Sequence, residues 1–180
     1  MTEEAVGEVT PTEEELVEEK APVFIDFSRL IQLHGDVCED LSRDYQAAIL
    51  KMHAEEPEKP IFTFLNTHGG DAYEGFAMYD IMKILPTEKV IICQGKVMSA
   101  GLIILAGADL RLSLPNTVFM IHNMATTIPM EMSDPQKIKQ GLDSTEEMNE
   151  NMLELIRDNC RLELEQVRAL ATSCLLYTSD

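Results

Sequence analysis

Between residues 23 and 122, short apolar runs rich in β-branched and aromatic side chains keep giving way to segments with apolar residues at helical period. This alternation limits the available folds more than any other feature of the chain. Residues 23–27 and 30–33 are predicted strands, and residues 40–54 carry Leu41, Tyr45, Ala48, Ile49 and Met52 at helix spacing before a turn-rich break at 55–60. The plan then repeats: an apolar strand at 61–65, a Gly69-Gly70 turn, and a helix at 72–85 with Phe76, Tyr79 and Met82 on one face, closed by Pro86. A third round has a strand at 89–93, a loop around Gly95 and an apolar helix at 99–108. Strands at 110–113 and 118–122 follow, on either side of the turn Leu114-Pro115-Asn116. A helix returns the chain to the same end of a sheet, so the pattern predicts an α/β domain with parallel strands and right-handed crossovers.

The 180 residues suit one domain with one core. Two segments lie apart from it. Residues 1–20 hold eight glutamates and one lysine, too polar to pack, and residues 1–21 are expected to form a disordered acidic tail. Residues 134–160 alternate acids with Ile138, Leu142, Met148, Met152 and Leu155, the mark of a long helix with a solvated outer face. Such a helix exceeds the width of so small a domain and is expected to protrude or to pack on another subunit.

A formal charge of −18, from 32 acidic and 14 basic side chains, argues against nucleic acid as a partner, because phosphate binding needs clustered Lys and Arg. No run approaches the roughly 20 apolar residues of a membrane helix. The acidic N-terminus does not resemble a secretory signal, so a cytoplasmic location is the expectation. Cys38, Cys93, Cys160 and Cys174 are scattered, and His34, His53, His68 and His122 show no paired zinc-ligand spacing, so no metal site is expected. Gly95-Lys96 lacks the upstream glycine of a phosphate-binding loop, and no cofactor is implied.

What remains is a set of small and hydroxyl-bearing residues at strand ends, where open parallel sheets place their sites. Ser99 follows a strand and opens an apolar helix in Gly95-Lys96-Val97-Met98-Ser99-Ala100-Gly101. Its position first suggests an N-cap, with a nucleophile whose developing charge the helix N-terminus favours as the alternative. Val97 stands where a Gly-x-Ser-x-Gly elbow would have its first glycine. Gly69-Gly70 is either a tight turn or a place where a substrate backbone can approach bare N–H groups. His122, at the end of a strand, is a hydrogen-bonded structural group or a base.

Taken together, Asn66-Thr67-His68-Gly69-Gly70, Met78-Tyr79-Asp80-Ile81-Met82, the segment 95–101, Leu114-Pro115-Asn116 and Met120-Ile121-His122 resemble the peptidase subunit of the Clp proteases in order and spacing. The similarity spans about residues 29–170. It implies a crotonase-like fold of repeated β-β-α units with a protruding helical handle. It further implies rings of subunits enclosing a chamber, and hydrolysis of polypeptides delivered by an ATP-driven AAA+ unfoldase. By the same resemblance the nucleophile falls on Ser99, the general base on His122, and the oxyanion donors on the backbone N–H groups of Gly70 and Ala100. The handle, at 134–160, would form the contact between rings.

The chain departs from the family pattern at three places. His68 replaces the usual proline before the glycines, and Asn123-Met124 replaces glutamine and proline after the base. The aspartate of the triad is expected some ten residues past Leu164-Glu165-Gln166, but no acid occurs between Glu165 and Asp180, and an ungapped carry-over lands near Cys174. Residues 174–180, Cys-Leu-Leu-Tyr-Thr-Ser-Asp, look like a translated sequencing adapter. The peptidase domain is therefore read as 22–172, with 173–180 foreign and the aspartate and final strand expected beyond the sequence as written. Two other functions share these features: a non-catalytic structural subunit of a mixed ring, and a crotonase-type enzyme acting on acyl thioesters without need of a Ser99 and His122 pair.

Overall fold

The computed structural model describes residues 24–125 and 134–173, together with the backbone of 176–178. The tail 1–21, Cys174 and Asp180 lie outside these residues. After a 3-10 turn at Phe27–Arg29, the chain runs β1 (Leu30–Val37), α1 (Glu39–Glu55), β2 (Ile61–Gly70), α2 (Ala72–Ile84), β3 (Lys89–Met98) and α3 (Ala100–Ala106). It continues through β4 (Leu110–Ser113), β5 (Val118–Met120), α4 (Pro135–Asp158), α5 (Leu164–Ser173) and β6 (Leu176–Thr178). One sheet has the order β1-β2-β3-β5-β6, with β4 also paired to β3. Every pairing is parallel except β5 with β6, so the α/β expectation holds.

β3 organises the sheet by dividing one edge between two neighbours. Val90–Cys93 pair with Leu110–Ser113 of β4, and Lys96–Met98 pair with Val118–Met120 of β5. Between the two halves the register against β2 slips: Leu65 opposes Cys93 while Thr67 opposes Val97. Gly95, at φ +67°, takes the slack in a conformation that suits glycine. The amide of Asn66 closes the bulge by accepting the Lys96 N–H at 3.3 Å.

The apolar runs of β2 and β3 are buried on both faces, as parallel strands usually are. Leu33, Ile49, Leu65, Met78, Met82, Ile91, Ile103 and Met152 form the main core, and Phe62, Val90 and Ile92 form a smaller one on the other face. Two buried cations tie the strand ends to this core. Arg29 donates to the carbonyls of Met52, Glu56, Lys59 and Pro60, capping α1 and fixing the entry to β2. Lys89 donates to the Leu85 carbonyl at 2.8 Å and pairs with Asp109 at 2.9 Å.

Several elements differ from the sequence expectations. The predicted strand at 23–27 gives way, over the described residues, to extended chain and the 3-10 turn, because the Asp26 carboxylate accepts the Ser28 N–H at 2.9 Å and bends the backbone. β2 and β3 each run five residues past the apolar stretch that marked them, through residues the sequence presents as turn formers. α4 is less free than expected: Met152 and Leu153 are buried within the chain itself, while its first half is largely exposed. α5 had no counterpart in the sequence reading, although Val167 and Ala171, one turn apart, are its buried face. Residues 176–178, set outside the fold in that reading, pair with β5. An open strand edge accepts any β-competent neighbour, so the pairing is silent on the origin of the segment.

Candidate active site

The site lies where β3 passes into α3. Ser99 joins them at φ +53° and ψ −123°, and it alone among the described non-glycine residues has a positive φ. Its N–H donates to the Met120 carbonyl of β5 at 2.9 Å, which holds the strained turn in place. The N-cap alternative does not match this geometry, since the Ser99 side chain makes no bond to the first turn of α3. Instead the hydroxyl meets the imidazole of His122, with Oγ 2.9 Å from Nε2. The strand-to-helix turn is thus sharp at Ser99 although the Gly-x-Ser-x-Gly signature is lacking.

Close packing of glycines permits the turn. A Cβ on Gly69, at φ +96°, would come 2.6 Å from the Ser99 Cβ and 2.8 Å from the Met98 carbonyl oxygen. Gly70 sits directly against the backbone of Val37, whose carbonyl also accepts the Asp71 N–H at 2.8 Å. The Asp71 side chain then caps α2 through the N–H groups of Tyr73 and Glu74. β2 therefore ends with bare backbone beside Ser99.

Ser99, His122, Gly70 and Ala100 all line one cleft of about 470 Å³, so the four residues singled out in the sequence come together. Asp71, Tyr73 and Met124 line it too, and Ser144, Thr145, Met148 and Met152 of α4 form its opposite wall. Ala100 is the first residue of α3, where backbone N–H groups have no intrahelical acceptor. A hydroxyl bonded to an imidazole at a helix N-terminus can lose its proton to the ring while the oxygen attacks an electrophile.

His122 has an unusual second partner. Its Nδ1 lies 2.6 Å from the carbonyl oxygen of Asn123, so Nδ1 carries the proton and Nε2 is free to accept from Ser99. Among the described residues no carboxylate pairs with His122. His68, one of the departures from the family pattern, pairs instead with Asp36 of β1 at 3.0 Å, on the exposed side of the glycine strand. The sequence reading missed the Asn123 carbonyl because a backbone group leaves no signature in residue type.

Among the described residues no three His, Cys, Asp or Glu side chains cluster as metal ligands, and no helix is long and apolar enough to cross a membrane. A family model described as Clp protease matches residues 19–175. Among solved structures, an asparagine-to-aspartate mutant of ClpP1 from Listeria monocytogenes is similar at a TM-score of 0.76 and 25% identity. The match covers 84% of this chain and 83% of that one. The fold is therefore ClpP-like, and the chain belongs to the Clp protease family.

Proposed function

We propose that the chain is a serine endopeptidase subunit of an ATP-dependent Clp-type protease, with Ser99 as nucleophile and His122 as general base. The 2.9 Å contact between Ser99 Oγ and His122 Nε2, inside a cleft at the N-terminus of α3, carries this reading. Ser99 Oγ attacks the scissile carbonyl as its proton passes to Nε2. The N–H groups of Gly70 and Ala100 hold the resulting oxyanion. Collapse of the intermediate breaks the C–N bond, and Nε2 returns the proton to the leaving amine. Water, deprotonated by the same nitrogen, then hydrolyses the acyl ester and restores Ser99.

The peptidase domain is taken as residues 22–172. Its substrates are unfolded polypeptides passed on by an AAA+ unfoldase, its setting is the cytoplasm, and copies of the chain assemble into rings through α4. The exposed first half of α4, including Leu142 at 48% exposure, supports such an assembly. A second reading, a non-catalytic subunit of a mixed ring, is favoured by the carbonyl that stands at His122 Nδ1 where a triad would have a carboxylate.

A fluorophosphonate probe separates the two. Under the peptidase reading it labels Ser99 and blocks hydrolysis of an unstructured peptide, and Ser99→Ala removes both while leaving the fold intact. Failure of the probe to label the intact chain, or hydrolysis that survives Ser99→Ala, overturns the assignment.

A further inference from the structure

The group that accepts from His122 Nδ1 is itself held in place from the other side. The Asn123 carbonyl and the Met124 N–H belong to one peptide unit, and in a trans peptide they point in opposite directions. The carbonyl faces His122 at 2.6 Å. The N–H faces α4, where Asn149 Oδ1 accepts it at 2.8 Å. Asn149 Nδ2 also reaches the side-chain oxygen of Asn123 at 3.4 Å. The orientation of the Asn149 amide is fixed by this arrangement, because reversing it would set an NH₂ group against the Met124 N–H. The polar chain runs from Asn149 through the peptide 123–124 to His122 and on to Ser99.

From this geometry we propose that Asn149 is a positioning residue for catalysis. By clamping the peptide 123–124 it keeps the Asn123 carbonyl on Nδ1 and so holds His122 in the tautomer whose Nε2 accepts from Ser99. The proposal rests on the peptidase reading for its consequence in turnover, but not for its effect on the ring. Two features make the clamp effective. An N–H engaged by an acceptor polarises its own peptide and makes the carbonyl at the other end a better acceptor. The clamp also comes from a different element: α4 is anchored by the buried Met152 and Leu153, whereas His122 and Asn123 follow β5 in irregular chain that could otherwise turn the peptide over. The oxygen of Asn149 is the part that matters, and its NH₂ group is secondary.

The test compares the full chain with Asn149→Ala and Asn149→Asp by ¹⁵N spectroscopy of the His122 ring and by the rate of fluorophosphonate labelling at Ser99. Aspartate keeps the acceptor, so Asn149→Asp should retain the Nδ1–H tautomer and label at close to the original rate. Asn149→Ala should populate both tautomers and label about 10- to 100-fold more slowly, within the contribution of a positioned base. A packing role alone would leave Asn149→Leu, similar in size but unable to accept, close to the original chain, whereas loss of the acceptor makes it behave like the alanine. If Asn149→Ala fails to fold, Asn149→Leu, near in size and unable to accept, carries the same expectation. An unchanged tautomer in Asn149→Ala or Asn149→Leu, or loss of the tautomer in Asn149→Asp, overturns the proposal. If the unmodified chain takes no probe, the peptidase reading fails, yet the ring spectra still decide the role of Asn149.

Discussion

Gly69 lies so close to Ser99 that a methyl group on it would stand 2.6 Å from the Ser99 Cβ. Real Cβ atoms do not approach in this way, so Gly69→Ala must push the serine turn away from His122 or distort the end of β2. The left-handed backbone of Gly69 adds a penalty of about 1–2 kcal/mol for any side chain. Gly69→Ala is expected to lower stability by roughly 2–4 kcal/mol in denaturant melts, overpacking included, and to abolish probe labelling at Ser99. A variant that labels normally would show that the contact relaxes without moving Ser99.

Arg29 gives a second prediction. Its guanidinium serves four carbonyls at once, Met52, Glu56, Lys59 and Pro60, at 3% exposure. Lysine would preserve the charge but has three donors on a single point and cannot span the fork. Arg29→Lys should cost about 1.5–3 kcal/mol, the range for hydrogen bonds to a charged group, read as a lower denaturation midpoint with unchanged slope.

Asp109 predicts a response to acid. Burial alone would raise its carboxyl pKa, but the backbone N–H and ammonium of Lys89 outweigh that effect and hold it below the ordinary aspartate value. A depressed folded pKa means that the stabilisation is complete above the unfolded value and is lost as pH falls through the folded one. Thermal melts should therefore lose stability below about pH 4, the unperturbed aspartate range. Asp109→Asn should be less stable at pH 7 by about 1–3 kcal/mol, less than a fully buried pair because Asp109 is 43% exposed, and the difference should narrow in acid.

The cysteines give a prediction that needs no variant. Burial pushes the Cys93 thiol up to about 12, whereas Cys38 and Cys160 are exposed. An alkylating reagent at pH 8 should modify Cys38 and Cys160 in the folded chain and reach Cys93 only after denaturant is added, as peptide mass mapping would show. Early modification of Cys93 would mean that β3 opens locally.

The sequence was most informative where a side chain's chemistry and its place in the fold agree. The apolar stretches of β2 and β3 and the helical period of α1 could be located from residue type. Legibility failed where the neighbours decide the conformation. Thr67 to Gly70 and Gln94 to Met98 look like turns, but they are extended because β1, β2 and β5 hold them in register. Ser99 looked like a helix cap because the preference for serine at that position is local, whereas its actual conformation is imposed by Met120 and His122 from β5 and beyond. The resemblance to the Clp family pointed to the four site residues, but not to the peptide that meets His122 Nδ1.

The divided edge of β3 bears on how such a chain can change over time. The half that meets β4 is apolar and serves the core, while the half that meets β5 carries Ser99 and faces His122. The slip at Gly95 separates the two halves, so drift in the packing of Val90 to Cys93 need not be transmitted to the alignment of Ser99 with His122. A lineage could thus exchange its hydrophobic interior piece by piece while its chemistry stays under separate selection, or lose the chemistry and keep a sound scaffold.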